Sequence, residues 1–265
     1  NSVSVNQATN ECWVADTGNS RIKKLSSAGT VLVNVTAAIK NPQSVSVNWS
    51  TGECWVADTG NNRIKKLSSA GAVLVNKLIT KSNPQSVSVY PSDGSCWFTD
   101  TGNNHIKKLS SDGKTILVDL AGFNQPRSVS VNSTTGECWV ADTGANRICR
   151  IYWTGSIWTY EAIPGLFSDP YSVSVNPSES INGRNTCWVA DTGGNRVRKI
   201  YWTGSAWSFY TFTGFLSPYS VSVNPADGSC WVADTGNNKI IKLNPQGDRE
   251  FNIGGFNNPL SVSAR

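Results

Sequence analysis

Residues 53–60 read ECWVADTG, and close copies of this octapeptide occur six times along the chain. A cysteine marks the same place in each copy, at Cys12, Cys54, Cys96, Cys138, Cys187 and Cys230. The intervals between successive cysteines are 42, 42, 42, 49 and 43 residues. A unit of this length is too short to bury a core of its own, so such units are stable only when they pack against their neighbours.

One unit contains four predicted strands. Residues 44–47 read SVSV and alternate with a period of two, whereas residues 53–58 are apolar on both faces. Residues 63–67 and 72–75 complete the unit, and turns rich in Gly, Asn and Ser separate the four segments. Such short segments, bounded by turn residues at intervals of about 8–12 positions, predict β-strands rather than helices.

Six units of four strands predict an all-β fold, namely a six-bladed β-propeller of four-stranded antiparallel blades. We expect residues 1–265 to form this propeller as a single domain. The second strands of the blades are predicted near residues 11–16, 53–58, 95–100, 137–142, 186–191 and 229–234.

The repeat resembles a known family. Residues 55–64 read WVADTGNNRI, which is similar to the signature of NHL-repeat propellers, and the resemblance extends over all six units. The resemblance implies a propeller fold but leaves the function open. The family includes RNA-binding and protein-binding modules, sensor domains of bacterial receptors and a lyase with a metal-bearing centre.

The charge of the chain is modest and evenly spread. There are 23 basic and 18 acidic residues, which give a net charge of +5. The basic residues recur in each unit, as at residues 21–24 and 63–66, instead of forming one patch. Because nucleic-acid binders usually gather their basic residues on one surface, we interpret this pattern as a solvated rim. A nucleic-acid partner is left open but is not favoured.

No apolar run approaches the ~18 residues of a membrane span, so no membrane insertion is expected. The pattern for N-linked glycosylation occurs at Asn34, Asn48 and Asn132. Together with the abundance of Asn, Ser, Thr and Trp, this pattern favours an extracytoplasmic or cell-surface location.

The seven cysteines are predicted to be unbridged. Equivalent cysteines lie on neighbouring sheets, which pack about 10 Å apart, whereas a disulfide needs Cα atoms within about 7 Å. The additional Cys149 lies in the same unit as Cys138, but the hairpin register places it opposite Val140. We expect the six repeated thiols to be buried, with Cys149 as the most accessible one.

An aspartate ends each predicted second strand, and a basic residue follows it five positions later. A four-residue turn places the two residues opposite each other across the hairpin, which suits a structural ion pair. The predicted pairs are Asp16 and Arg21, Asp58 and Arg63, Asp142 and Arg147, Asp191 and Arg196, and Asp234 and Lys239. In the third unit the partner of Asp100 is His105. The alternative, a ring of carboxylates that binds a metal or a polar ligand, is less favoured.

Catalytic and cofactor sites are not predicted. His105 is the only histidine, and one imidazole cannot supply the several ligands of a zinc centre. No glycine-rich phosphate loop follows a strand and opens a helix. The sequence therefore predicts no catalytic residue, no metal, no cofactor and no enzymatic activity.

The repeat is interrupted in the fourth and fifth units. Residues 152–158 read YWTGSIW and residues 201–207 read YWTGSAW, where the other units have a short polar turn. The fifth unit also has a longer loop at residues 177–186. The first and third turns of a blade lie at the same end, so we expect Trp153, Trp158, Trp202 and Trp207 to form a binding site near this loop. The alternative is that they cover an outer strand edge.

From these features we expect a non-catalytic binding or scaffold propeller, as a module of a larger surface or extracellular protein, that recognises a protein or glycan partner. An RNA-binding NHL propeller is the alternative, and a propeller enzyme of the lyase or lactonase type is the second alternative. The sequence also contains seven copies of the first strand, one of them at residues 261–265. We expect this C-terminal copy to complete the first blade, which would leave residues 1–5 to exchange with another molecule or extend an array.

Overall fold

The computed structural model describes residues 1–264 of the chain. Two compact units are present, Asn1–Pro126 and Arg127–Arg265. Each unit contains three four-stranded antiparallel sheets, which we call blades 1–3 and blades 4–6. The predicted fold class is confirmed: the chain is an all-β, six-bladed β-propeller with four-stranded antiparallel blades.

In the first unit, blade 1 contains β1–β4, blade 2 contains β5–β8 and blade 3 contains β9–β12. Their bounds are β1 Ser2–Val5, β2 Cys12–Asp16, β3 Arg21–Leu25, β4 Val31–Val35, β5 Ser44–Val47, β6 Cys54–Asp58, β7 Arg63–Leu67, β8 Val73–Leu78, β9 Val87–Val89, β10 Cys96–Asp100, β11 His105–Leu109 and β12 Ile116–Leu120.

In the second unit, blade 4 contains β13–β16, blade 5 contains β17–β20 and blade 6 contains β21–β24. Their bounds are β13 Ser128–Val131, β14 Cys138–Asp142, β15 Arg147–Trp153, β16 Trp158–Ile163, β17 Pro170–Ile181, β18 Arg184–Asp191, β19 Arg196–Trp202, β20 Trp207–Phe212, β21 Pro218–Val223, β22 Cys230–Asp234, β23 Lys239–Leu243 and β24 Arg249–Ile253.

The hairpin between the second and third strands explains the repeated Asp-Thr-Gly-Asn sequence. A single 3-10 turn follows the second strand and ends at a residue with a left-handed backbone, such as Asn62 with φ of 54°. Asparagine tolerates this conformation better than most residues. Such turns occur at Thr17–Asn19, Thr59–Asn61, Thr101–Asn103, Thr143–Ala145 and Thr235–Asn237.

Each blade presents two different apolar faces. We call the side of the second strand that carries Trp the tryptophan face, and the opposite side the cysteine face. In the first unit, the tryptophan face of blade 1, with Trp13 and Ile22, packs against the cysteine face of blade 2, with Cys54 and Val56. The same arrangement recurs from blade 2 to blade 3, from blade 4 to blade 5 and from blade 5 to blade 6. The second strands are apolar on both faces because each lies between two sheets.

The serines of the first strands join neighbouring blades. The backbone N–H groups of Val45 and Val47 donate to Ser2 Oγ and Ser4 Oγ at 3.2 and 3.1 Å. Equivalent bonds join Val221 and Val223 to the serines of β17. The small hydroxyl side chains of the SVSV sequence therefore satisfy backbone donors of the next blade.

The expectation for the chain ends is wrong. The N-terminal strand β1 pairs with β2, with Ser2 opposite Ala15, so it completes blade 1. Only a short loop separates these strands, which makes their pairing entropically cheap. The C-terminal copy, residues 261–264, lies beside β21 instead, and its Val262 and Ala264 N–H groups donate to Ser220 Oγ and Ser222 Oγ at 3.4 and 2.9 Å.

All seven cysteines are free thiols, as predicted. The prediction that Cys149 is the most accessible one is wrong, because Cys149 is fully buried and Cys12 alone is half-buried. Cys149 is buried because it lies on β15, between the two neighbouring strands of its sheet. None of the described helices has the length and hydrophobicity that crossing a membrane requires.

Candidate functional site

The repeated aspartates are buried anchors of the hairpins. Asp58 Oδ2 lies 2.9 Å from Lys65 Nζ, and Asp58 Oδ1 accepts the backbone N–H of Lys40 at 2.7 Å. The predicted pair of Asp58 with Arg63 does not form. Arg63 stands opposite Asp58 in the register but donates to Asn76. Lys65 lies on the same face two residues further along, and its ammonium group pairs with the Asp58 carboxylate instead.

The other aspartates divide into two groups. Asp16, Asp142 and Asp191 contact the predicted partners Arg21, Arg147 and Arg196 at 2.5, 2.7 and 2.6 Å. Asp234 differs: it accepts the Asn237 side-chain amide and the Leu216 backbone N–H, both at 2.8 Å, instead of Lys239. Blade 6 also has Ile241 at the register position that Lys65 occupies in blade 2.

The only histidine stands opposite Asp100 in the register, as predicted, but its side chain contacts a different carboxylate. His105 Nδ1 is 2.6 Å from Asp119 Oδ1, whereas Asp100 pairs with Lys107 at 2.9 Å. Within residues 1–264, no group of three or more His, Cys, Asp or Glu side chains could hold a metal ion. The residues present therefore do not fit the metal-bearing centre that the NHL resemblance implies for its lyase member, and we derive no step through a metal.

The structure places the predicted aromatic residues in different environments. Trp207 is only 9% exposed, and its ring lies edge-on to Trp139 at 5.3 Å and to Trp202 at 5.1 Å. Trp153 is 50% exposed and contacts Trp158 at 5.7 Å. Trp207 is therefore part of the core between blades 4 and 5, and a partner could reach Trp153 but not Trp207.

The long hairpin of blade 5 packs beside these aromatic turns. The Arg184 guanidinium lies 4.1 Å from the centre of the Trp202 ring. Arg184 Nη1 also donates to Glu161 Oε1 at 3.0 Å, and Arg150 Nη1 donates to the same oxygen at 2.9 Å. The charges at this end of the unit are thus paired with each other, which leaves few groups available to a ligand.

The repeat is also interrupted at a second place, which the sequence-based prediction of the site did not include. One position follows a proline and precedes the SVSV strand, and its residue changes from unit to unit while its flanks stay the same. This position holds Gln43, Gln85, Arg127, Tyr171 and Tyr219 in blades 2 to 6. The variation at one place between constant neighbours was the signal that could have located the site.

In the second unit, three of these side chains form a connected cluster, which we call the Arg–Tyr cluster: Arg127, Tyr171 and Tyr219. Arg127 Nη1 donates to Tyr171 Oη at 2.6 Å, and the guanidinium lies 4.8 Å from the centre of that ring. The rings of Tyr171 and Tyr219 have centres 3.9 Å apart. All three side chains are half-buried, so a ligand can reach them.

The Arg–Tyr cluster combines a cation with a phenol that keeps its proton. Burial, followed by the hydrogen bond with Tyr171, raises the pKa of Tyr219 well above its ordinary value. Tyr219 therefore stays neutral and can donate a proton or a hydrogen bond at physiological pH, while Arg127 can stabilise a negatively charged oxygen. Bond cleavage next to a carbonyl group needs a cation or donor that stabilises the carbonyl oxygen and an acid that protonates the leaving group. Arg127 and Tyr219 are suited to these two functions.

Comparison with protein families decides the assignment. The model of the virginiamycin B lyase family matches residues 3–253, which is nearly the whole chain. The chain belongs to the virginiamycin B lyase family. Comparison with curated protein sequences gives no match.

Solved structures of the virginiamycin B lyase type share the fold. A catalytically inactive virginiamycin B lyase from Staphylococcus aureus with quinupristin, in which a histidine is replaced by alanine, has 20% identity and a TM-score of 0.77, over 96% of this chain and 83% of that chain. A streptogramin B lyase structure has 19% identity and a TM-score of 0.81, over 99% of this chain and 86% of that chain. The low identity means that these structures support the propeller fold alone.

The family corrects two expectations from the sequence. The non-catalytic binding or scaffold propeller is wrong as the main interpretation, because virginiamycin B lyases are enzymes. The conclusion that no enzymatic activity is present is wrong for the same reason. The NHL resemblance is confirmed only at the level of a β-propeller repeat family, since the family shown is the virginiamycin B lyase family.

Proposed function

We propose that this protein is a lyase that cleaves a streptogramin B-type substrate by elimination. The observation that carries the proposal is the match of the virginiamycin B lyase family over residues 3–253. The similar structure determined with quinupristin supports the substrate class.

We place the reaction at the Arg–Tyr cluster. Near-identical blades present near-identical surfaces, so a single active site has to lie where the repeat is interrupted. Arg127 would hold the substrate's carbonyl oxygen and stabilise the charge that forms there when a neighbouring C–H bond is broken. Solvent water would accept the proton from that carbon, and the C–O bond would break as the C=C bond forms. Tyr219, kept neutral by burial, would donate its proton to the oxygen that leaves. Tyr171 positions both groups through its bond to Arg127 and its contact with the Tyr219 ring.

The test is incubation of the purified protein with quinupristin, followed by mass spectrometry. Elimination adds no water, so the products together have the mass of the substrate, whereas hydrolysis adds the mass of one water. Intact quinupristin at high protein concentration would contradict the proposal, and products carrying an added water would replace the lyase with a hydrolase of the lactonase type.

Two conservative variants locate the site. Arg127→Gln introduces the residue found at the same position in blades 2 and 3, and Tyr219→Phe removes one hydroxyl. Each should lower kcat/KM by about 100-fold or more, which is the usual contribution of a general acid or an oxyanion donor. The control is Tyr210→Phe on β20, an exposed tyrosine outside the cluster, which should leave the rate unchanged. Because burial raises the pKa of Tyr219 well above that of an ordinary tyrosine, about 10, ionisation of this proton donor should not lower the rate up to that pH.

A further inference from the structure

The Arg–Tyr cluster supplies an acid and a cation but no base. Elimination also needs a base, because a proton has to leave the carbon beside the carbonyl group. Imidazoles and carboxylates usually have this role, and His105, the only histidine, belongs to the first unit. Within the second unit the ordinary candidates are therefore carboxylates.

One carboxylate of the second unit stands where the other blades have a neutral side chain. The position before the proline that precedes each copy of the first strand is occupied by Asn41, Asn83, Gln125, Ser217 and Asn258, but by Asp169 in blade 5. The backbone is alike at all six positions, with φ between 44° and 55°. This conformation therefore does not require an aspartate, and the exchange adds a negative charge beside the cluster.

The Asp169 carboxylate does not hold the fold together. The backbone N–H of Asp169 donates to Asn146 Oδ1 at 2.7 Å, and that of Ser217 donates in the same way to Asn195 Oδ1 at 2.8 Å. Among residues 1–264, however, no hydrogen bond or ion pair involves the side chain of Asp169, which is exposed. By contrast, Asp191 is paired with an arginine at 2.6 Å. The Asp169 carboxylate is therefore available to a substrate.

This carboxylate lies against a hairpin that also contacts the residue before Tyr219. A Cβ added to Gly193 would lie 3.1 Å from Asp169 Oδ2, so the carboxylate rests on this glycine. The neighbouring Thr192 donates from Oγ1 to the carbonyl of Pro218 at 2.6 Å. Two adjacent hairpin residues thus connect Asp169 and Tyr219, which places them on the order of 10 Å apart.

Asp169 also adjoins the cation of the cluster. It precedes Tyr171 by two residues, so the two Cα atoms lie within about 7 Å of each other. Tyr171 in turn accepts the hydrogen bond from Arg127 at 2.6 Å. A substrate whose carbonyl oxygen contacts Arg127 would therefore have its neighbouring carbon close to Asp169, at a distance that one water molecule can bridge.

We propose that Asp169 is the general base of the elimination and acts through one water molecule; this role rests on the proposed lyase function. As the carbon beside the carbonyl group loses its proton to the water, the water passes one of its own protons to the Asp169 carboxylate. The C–H electron pair forms the C=C bond, the C–O bond breaks, and Tyr219 protonates the oxygen that leaves. Asp169 ends protonated and Tyr219 ionised, and exchange of protons with solvent restores both groups.

The test compares the cleavage of quinupristin by the unchanged protein and by Asp169→Asn. Asparagine occupies this position in blades 2 and 3, so the variant should fold, which circular dichroism would check. We expect kcat to fall by about 100-fold with little change in KM, because a general base acts on the chemical step and not on binding. The control is Asp248→Asn, a change at an exposed aspartate of blade 6, which should leave kcat unchanged.

Addition of formate separates catalysis from a structural role. Asp169→Ser introduces the residue of blade 6 and leaves space for a small carboxylate. Formate should restore part of the lost kcat in this variant, because it can accept the proton in place of the missing side chain. It should not restore Tyr219→Phe, which lacks the proton donor. An Asp169→Ser variant that remains slow at every formate concentration would overturn the proposal.

The same measurements separate the role of Asp169 from the proposed function. If the unchanged protein leaves quinupristin intact, the lyase function and the role of Asp169 are both overturned. If the unchanged protein cleaves quinupristin and Asp169→Asn cleaves it at the same rate, the lyase function stands and only the role of Asp169 is overturned.

Discussion

Lys65 Nζ lies 2.9 Å from Asp58 Oδ2, and the two side chains are 1% and 0% exposed. Lys65 Nζ also donates to the backbone carbonyl of Ala38, so the ammonium group joins the second strand of blade 2 to the loop that precedes the blade. A buried charge is tolerated only when it is paired and hydrogen-bonded. This ion pair therefore adds to the bonds that hold the loop against blade 2.

Replacement of Lys65 should be strongly destabilising. Lys65→Met keeps the length of the side chain but leaves the Asp58 carboxylate buried without its counter-charge. We expect the free energy of unfolding to fall by about 3–5 kcal/mol, which chemical denaturation would measure.

The same substitution in blade 1 is the matched control. Lys23 lies 4.0 Å from Asp16, and the two side chains are 26% and 22% exposed. Lys23→Met should cost about 1 kcal/mol or less, since water can solvate the remaining carboxylate. Equal losses for the two variants would mean that burial does not determine the strength of these pairs.

The fold was predictable because its signals are local. The period of about 42 residues, the alternation of SVSV and the Asp-Thr-Gly turns each specify short-range structure, and close copies of these signals recur along the chain. The partner of Asp58 was not predictable in this way. Arg63 and Lys65 point to the same face of β7, and only the three-dimensional packing determines which cation reaches the carboxylate.

The candidate site was harder to find than the fold. The change from Gln85 to Arg127 and Tyr171 is visible in the sequence, but the contact between residues about 44 positions apart follows from the packing of neighbouring blades. The aromatic turns were the stronger prediction because tryptophan is enriched in binding surfaces. The lyase assignment came from a match over the whole chain, since no single motif in the repeat carries it.

Trp207 and Trp153 are two of the four tryptophans predicted to bind a partner. Their replacement by alanine should lower the stability of the protein by different amounts. Trp207 is packed between Trp139 and Trp202, so Trp207→Ala should lower the free energy of unfolding by about 3–5 kcal/mol. Trp153 is half exposed, and its ring contacts that of its hairpin partner Trp158, so Trp153→Ala should cost about 1 kcal/mol or less. Thermal denaturation followed by circular dichroism would distinguish the two variants.

This difference decides how the predicted partner site can be tested. A variant that changes all four tryptophans would lose binding through unfolding, whether or not they contact a partner. Trp153→Ala tests the surface without this complication. A similar loss of stability in both single variants would show that Trp153 is also structural.

The thiols should react in an order set by burial. Burial raises the pKa of Cys149 to about 12, and burial also raises the pKa of Cys12, which nevertheless remains half-buried. The thiolate is the reactive form, so an accessible thiol reacts before an equally basic buried one. We expect iodoacetamide to modify Cys12 first, with Cys149 and the five other repeated cysteines unmodified in the folded protein. While the pH is below the pKa of Cys12, the rate of its modification should rise about tenfold for each unit by which the pH is increased. Peptide mass spectrometry would locate the modified residue, and Cys12→Ser should remove the fast phase. Modification of Cys149 before Cys12 would contradict the burial of β15 between its neighbouring strands.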